Sequence, residues 1–343
     1  MSGRILLVPS VAKGNGSGHL VRCLSLARSL GPGAAVFVPE TKSETSWSAA
    51  DLSMAYAREL AGVQLVSSLR GDDRSAAGAP EPRPRWDLVV LDRRATSLEE
   101  LAFWERFGPV LAIDEGGPAR EAAHYLVDIL PRAAGRRESR SPGSNKACLG
   151  FLDLPRNRRD PPASFERVLV SFGGEDPAGL SLSLARTLLA EGLVEPADLT
   201  IVTGALRRGA PPVGLEGVTV LGPVQDLKEH LSRYDLVFTQ FGLTAFEAAW
   251  AGCGVVLLNP SPYHRALSRA AGFPEIGVRR PELGALRRLL CSPAELLSRT
   301  ASVAPEESQS LADFIAGLAP AGPASCPVCG SAARRAIYRD EAK

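Results

Sequence analysis

Short apolar runs alternate with amphipathic stretches along most of the chain. Residues 5–8 are a continuous apolar run, Ile-Leu-Leu-Val, the pattern of a strand buried on both faces of a parallel sheet. Gly14, Gly16 and Gly18 follow, and then Leu20, Cys23, Leu24, Ala27 and Leu30 recur at helical spacing, which predicts a helix over 19–30. The same reading gives strands over 34–38 and 63–66 with a helix over 50–60 between them. Residues 71–85, rich in Gly, Ala, Pro and charge, read as an exposed loop. Strands over 86–92 and 110–114 each end in a carboxylate, Asp92 and Asp114, and flank a helix over 98–107; residues 125–130 close this half. Strands alternating with helices predict a parallel sheet built from βαβ units.

Between 132 and 162 the composition turns to Arg, Ser, Pro, Gly and Asn, with one apolar island at 147–152. A domain boundary is expected there. The alternation then restarts. Strands are expected over 168–172, 199–203, 218–221, 235–239 and 254–258. Helices are expected over 180–191, 227–232, from Gly242 to 250, and over 283–290, 293–300 and 308–316. This organisation divides the chain into a first domain over 1–150, a linker over 151–165, a second domain over 166–320 and a tail over 321–343.

A length of 343 residues exceeds what one hydrophobic core usually serves, in keeping with two domains. The 45% hydrophobic and 22% charged residues are an ordinary globular balance. The net charge of +1 gives no global pull toward nucleic acid or an anionic membrane, and neither partner is expected. Arg136-Arg137 and Arg156 to Arg159 read as solvated loops beside Pro and Ser. No apolar stretch is long enough to cross a bilayer, and the run over 4–9 is too short for a secretory signal. Cys23, Cys148, Cys253 and Cys291 lie scattered and need no disulfide framework. A cytoplasmic protein is expected.

In open parallel sheets ligands bind beyond the carboxyl ends of the strands, where glycine turns lead into helices. Three places have that form. The first runs from Gly14 to His19; it matches neither the dinucleotide fingerprint nor a P-loop. His19 on the first helical turn suits a proton acceptor, and equally suits a residue packed under the loop. The second is Ser171-Phe172-Gly173-Gly174-Glu175-Asp176-Pro177, a turn fit to cradle a diphosphate, or a plain turn with Asp176 capping the next helix. The third is Gly242-Leu243-Thr244-Ala245-Phe246-Glu247. There the first-turn N–H groups and Thr244 suit phosphate, and Glu247 suits the two hydroxyls of a ribose. Its alternative is a capping box, Thr244-x-x-Glu247.

Together these elements resemble a known family. Gly16, Gly18-His19, Arg22 and Leu26-Ala27 are similar to the opening motif of the UDP-sugar hydrolases of pseudaminic acid biosynthesis and the related spore-coat polysaccharide proteins. Asp92, Asp114-Glu115 and Asp128 resemble that family's strand-ending aspartates. Ser171-Phe172-Gly173-Gly174-x-Asp176-Pro177 and Gly242-x-Thr244-x-x-Glu247 resemble its two second-domain motifs. A more distant resemblance is to the bacterial glycosyltransferase that adds N-acetylglucosamine to lipid I. The resemblance implies an α/β GT-B fold, two Rossmann-like domains whose parallel sheets face a central cleft. It implies a small-molecule nucleotide-sugar as ligand, with uridine as the base and an amino-deoxy sugar. His19 becomes the catalytic base, and Gly16, Gly18, Arg22 and Asp92 substrate contacts. Gly173, Gly174, Gly242, Thr244 and Glu247 become nucleotide contacts. No metal or other cofactor is implied.

Two departures from the family pattern bear on function. The segment Pro260-Ser261-Pro262-Tyr263-His264-Arg265 stands where the family reads its sugar, so Tyr263 and His264, or Arg265, are expected to take over that contact. Phe241 and Leu243 replace small residues and are expected to crowd the phosphate turn. In the tail, Cys326 and Cys329 make half of a zinc site and read as a remnant. Hydrolysis of the nucleotide-sugar is the first reading. Transfer of the sugar to an acceptor, or a relative that binds without catalysis, are the alternatives.

Overall fold

The computed structural model describes residues 3–40, 45–69, 86–132, 144–207 and 215–318. The loop expected over 71–85, the Arg136-Arg137 pair and the Cys326/Cys329 tail lie outside the described residues. In the first domain β1 (Ile5–Pro9), β2 (Ala34–Phe37), β3 (Gln64–Val66), β4 (Leu88–Asp92), β5 (Val110–Ile113), β6 (Tyr125–Asp128) and β7 (Lys146–Ala147) form one sheet. Its order is β3-β2-β1-β4-β5-β6-β7, and its pairings are parallel. In the second domain β8 (Val168–Val170), β9 (Leu199–Val202), β10 (Thr219–Leu221), β11 (Leu236–Thr239), β12 (Gly254–Asn259) and β13 (Glu275–Val278) form a second sheet. It runs β10-β9-β8-β11-β12-β13 and is again parallel. The central strands β1, β4, β5, β8, β11 and β12 are buried along their whole length, as their unbroken apolar runs require when helices cover both faces.

The connections are α1 (Gly18–Leu30), α2 (Ala49–Ala55), α3 (Ala57–Leu60) and α4 (Leu98–Glu105) in the first domain. In the second they are α5 (Leu180–Ala190), α6 (Leu243–Ala251), α7 (Pro262–Ala271), α8 (Leu283–Leu290) and α9 (Pro293–Ala301), with α10 (Leu311–Leu318) after them. The expected helix over 50–60 is split in two at Tyr56. The apolar island over 147–152 starts with β7, which extends the first sheet. Two elements, α7 and β13, were not expected. Pro262 reads as a breaker but sits at the first helical position, where its missing N–H costs nothing, and Ser261 caps the helix by accepting from His264 N. The sequence of β13 is short and broken by Gly277, which takes φ 120°.

Sequence order assigns α10 to the second half, yet it packs on the first domain. Its Phe314 ring lies 5.1 Å from Phe151, Gln309 N donates to Gly150 O at 2.7 Å, and Ile315 is buried in the cluster that contains Leu20 and Leu24. That apolar cluster continues through Phe151 and Leu154 to Phe241 and Ala245 of the second domain, so the halves share a core beneath the cleft. The arginines of the linker are exposed but anchored, which corrects the solvated-loop expectation. Arg158 stacks 4.0 Å from the Trp250 ring centroid, and Arg159 bonds buried Asp235 at 2.6 Å. Among the described residues no helix is long and apolar enough to cross a membrane.

Candidate active site at the domain interface

His19 stands on the first turn of α1, just beyond the carboxyl end of β1. Its Nδ1 lies 2.7 Å from Oδ1 of Asp92, the last residue of β4. Asp92 is wholly buried. Arg22, one turn further along the same face of α1, donates Nε to Asp92 Oδ2 at 2.7 Å and Nη2 to Oδ1 at 2.6 Å. Its third bond, from Nη1, goes to Asp114 Oδ2 at 2.8 Å. Asp114 is itself fixed, in the left-handed region at φ 52°, by accepting from the backbone N–H groups of Ile129 and Leu130. Burial works to raise the Asp92 pKa, but the adjacent Arg22 and His19 outweigh it and hold the carboxyl well below its usual range. Burial and the Asp92 charge push the neighbouring Cys23 thiol up, so that cysteine is inert.

This geometry reassigns two residues. Arg22 and Asp92, expected as substrate contacts, are buried and saturated by each other. They are positioning residues beneath His19. A carboxylate on Nδ1 keeps the hydrogen on that nitrogen and leaves the Nε2 lone pair free to accept a proton. The imidazole is 19% exposed, so the group is both oriented and reachable.

The three glycine turns meet across the cleft. A Cβ on Gly18 would touch Leu243 Cδ1 at 3.6 Å, so the start of α1 abuts the start of α6. Gly14 and Gly16 have φ of 86° and 75° and turn their amides outward. Gly14 N donates to both oxygens of Glu175, at 2.9 and 2.8 Å, and Gly16 N to one at 3.3 Å. These two amides converge on one anion, here a carboxylate from the opposite domain. Gly174 has no room for a side chain because Ser17 and the Tyr56 hydroxyl press against it from the first domain, and a side chain on Gly204 would in turn strike the Gly174 backbone. The domain contact alone is enough to require glycine at 174. Asp176 accepts from Leu180 N and Ser181 N at 2.8 and 2.9 Å, so it serves as the cap of α5.

At the third turn Gly242 takes φ 157° and ψ −170°, and α6 starts at Leu243 with no side-chain cap. Thr244 lies inside the helix, so the Thr244–Glu247 capping box does not form. Ala245 N turns back to Gly242 O at 3.1 Å, and the Leu243 and Thr244 N–H groups are left for an anion. Phe241 turns inward against Phe246, ring centroids 5.8 Å apart, and does not crowd the turn. Leu243 spends its side chain on the contact with Gly18. Glu247, one turn along, is half-buried and makes no hydrogen bond with any described residue. Burial pushes its carboxyl up to about 7, Lys228 opposing and Asp153 and Glu229 adding to the effect. A carboxyl group desolvated without a donor is a group awaiting one.

Tyr263 and His264 occupy the first turn of α7. The Tyr263 ring is 43% exposed, with the Arg94 guanidinium of the first domain 4.5 Å from its centroid. His264 Nδ1 lies 2.8 Å from Ser261 Oγ; burial, with help from the Arg94 charge, pushes its pKa down to about 4 and keeps it neutral. Arg265 points away, held by Glu275 at 2.9 Å and Glu282 at 2.7 Å, and is not available to a sugar. Sequence reasoning missed Ser17, Tyr56 and Arg94. Only Arg94 carried a local signal, two places after a strand-ending aspartate. Among the described residues no cluster of His, Cys, Asp and Glu could hold a metal ion.

No family model and no curated protein matches the sequence. The structure is similar to solved GT-B glycosyltransferases. MurG of Acinetobacter baumannii superposes with a TM-score of 0.54 at 16% identity, over 92% of this chain and 98% of that one. SnogD of Streptomyces nogalater gives 0.52 at 17% identity, over 93% and 99%. The spinosyn forosaminyltransferase SpnP gives 0.55 at 16% identity, over 92% and 98%. These likenesses, with the two parallel sheets, show the GT-B fold.

Proposed function

We propose that this chain transfers a sugar from a nucleotide-sugar, bound between its two domains, to a hydroxyl acceptor. The observation that carries the reading is the His19–Asp92 pair, 2.7 Å apart, at a helix start that abuts the uncapped start of α6 through Gly18 and Leu243. His19 Nε2 takes the acceptor proton while the acceptor oxygen bonds to the anomeric carbon. The bond from that carbon to the phosphate oxygen breaks, and the diphosphate leaves with the electron pair. Asp92 and Arg22 hold the imidazole in its accepting tautomer. The amides at Gly242 to Thr244, aided by Gly173, offset the charge that grows on the leaving group. Glu247 accepts the ribose hydroxyls, and Gly16, Gly18, Tyr263 and His264 line the sugar side. Glycosyltransferase neighbours of the same fold support transfer over hydrolysis. We assign the reaction to the cytoplasm, in keeping with free thiols at Cys23, Cys148, Cys253 and Cys291.

The motifs Gly16-x-Gly18-His19-x-x-Arg22 and Ser171 to Pro177 support a second reading, in which water takes the place of the acceptor and a UDP-linked amino-deoxy sugar is hydrolysed. Release of nucleotide from a panel of nucleotide-sugars, with and without sugar and polyketide acceptors, separates the two. Acceptor-dependent release is expected. Equal release in water alone establishes hydrolysis, and no release with intact nucleotide binding leaves a binding protein.

A further inference from the structure

Arg94 is a cation at the cleft with no carboxylate partner among the described residues. Arg22 is held by Asp92 and Asp114, Arg93 by Glu100, Arg120 by Asp128, and Arg265 by Glu275 and Glu282. The guanidinium of Arg94 instead lies on the face of Tyr263, 4.5 Å from the ring centroid. Stacking of this kind orients a guanidinium while leaving its in-plane N–H donors free. Its neighbours on α7 are Tyr263 and the neutral His264. The first turn of that helix has no acidic residue, and Ser261 and His264 are occupied with each other. Arg279, across the same segment, donates Nε to Pro260 O and has no carboxylate partner among the described residues. Two arginines without a carboxylate partner among the described residues therefore border Pro260 to His264.

The position says which part of a ligand they meet. Arg94 follows Asp92 by two residues, just beyond the end of the strand that supports His19. The helix α7 follows β12, which pairs with β11, and β11 leads into the start of α6. Adjacent strand ends are about 4.8 Å apart, close to the step from a phosphate to the sugar it carries. From this arrangement, and resting on the nucleotide-sugar reading above, we propose that Arg94 is a specificity-determining residue that selects a sugar bearing a carboxylate. The guanidinium fork meets the carboxylate from the first domain while Tyr263 supplies the wall behind it.

Calorimetric titration of the full chain with UDP, UDP-glucose and UDP-glucuronate tests this directly, since the two sugars differ by the carboxylate. The native protein is expected to bind UDP-glucuronate about tenfold tighter than UDP-glucose. Arg94→Met is expected to erase that preference without changing affinity for UDP, and Arg94→Lys to retain part of it. Equal affinity of the native protein for the two sugars overturns the proposal, as does an Arg94→Met protein that weakens UDP as much as UDP-glucuronate. If UDP binds but the acidic sugar has no advantage, only the role of Arg94 falls. If no UDP ligand binds, uridine as the base and the Arg94 assignment fall together, whereas the nucleotide-sugar reading falls only if the whole panel fails to bind.

Discussion

The carboxylate of Glu175 reaches across the domain interface and rests on the backbone amide of Gly14, with both oxygens within 2.9 Å of the nitrogen. An acidic side chain of the second domain thus holds two loop amides of the first. A charge-assisted bond of this type contributes about 1.5–3 kcal/mol. It sits beside Gly174, where Ser17 and Tyr56 close the same gap. Removing it with Glu175→Ala should loosen the contact between the halves and raise the radius of gyration of the ligand-free protein in small-angle scattering. An unchanged scattering profile would mean that the shared apolar core alone keeps the cleft closed.

His19→Ala should lower turnover by 10²- to 10⁴-fold, the usual yield of a positioned base, and leave the affinity for nucleotide intact. Steady-state rates together with titration of the nucleotide check both halves of that statement.

Asp92→Asn is expected to harm folding as well as catalysis. It leaves the buried Arg22 with one carboxylate instead of two, and breaking a buried ion pair from one side costs about 3–5 kcal/mol. A fall in melting temperature should therefore accompany the loss of rate, whereas His19→Ala should melt close to the native protein. The depressed pKa of Asp92 also sets a pH window. Its stabilisation is fully present above the unfolded-state value near 3.9 and is lost as pH falls below it toward the lower folded-state value. The difference in denaturation midpoint between the native protein and Asp92→Asn should stay flat from pH 7 down to about 4 and shrink toward pH 2.

Glu247 has the opposite sign. Its carboxyl is raised to about 7, so the folded state holds a proton that the unfolded state releases near 4.3. This contribution is present at low pH and is lost as pH rises toward 7, leaving the folded protein about 2–3 kcal/mol less stable at pH 8 than a neutral group would. Glu247→Gln should raise the melting temperature at pH 8 and leave it nearly unchanged at pH 4. The same substitution should weaken nucleotide binding at least tenfold at pH 8. Native affinity should itself increase between pH 6 and 8 as the carboxylate forms. A nucleotide affinity indifferent to Glu247 would remove it from the site.

Local pattern was enough for the outline. Unbroken apolar runs such as 5–8, 88–91 and 254–258 have only one comfortable place, the middle of a parallel sheet covered on both sides, so two stacked α/β domains were legible before any coordinates. The glycine turns and His19 were legible for the same reason, since a backbone turning from strand to helix must shed its side chains there. The periodicity was silent on α7, because proline at a helix start looks like a break, and on β13, because Gly277 interrupts it.

The partners were decided in three dimensions. Asp92 lies 73 residues from His19 and Glu175 lies 161 from Gly14, and nothing in local spacing encodes which strand end faces which loop. Tertiary structure turned Arg22 and Asp92 from expected ligand contacts into a buried support, turned Arg265 away, and brought Arg94 onto Tyr263. Periodicity reports only which face of an element is dry. Pairing of charges depends on how the chain folds back, and here the strand order and the closed domain contact made that choice.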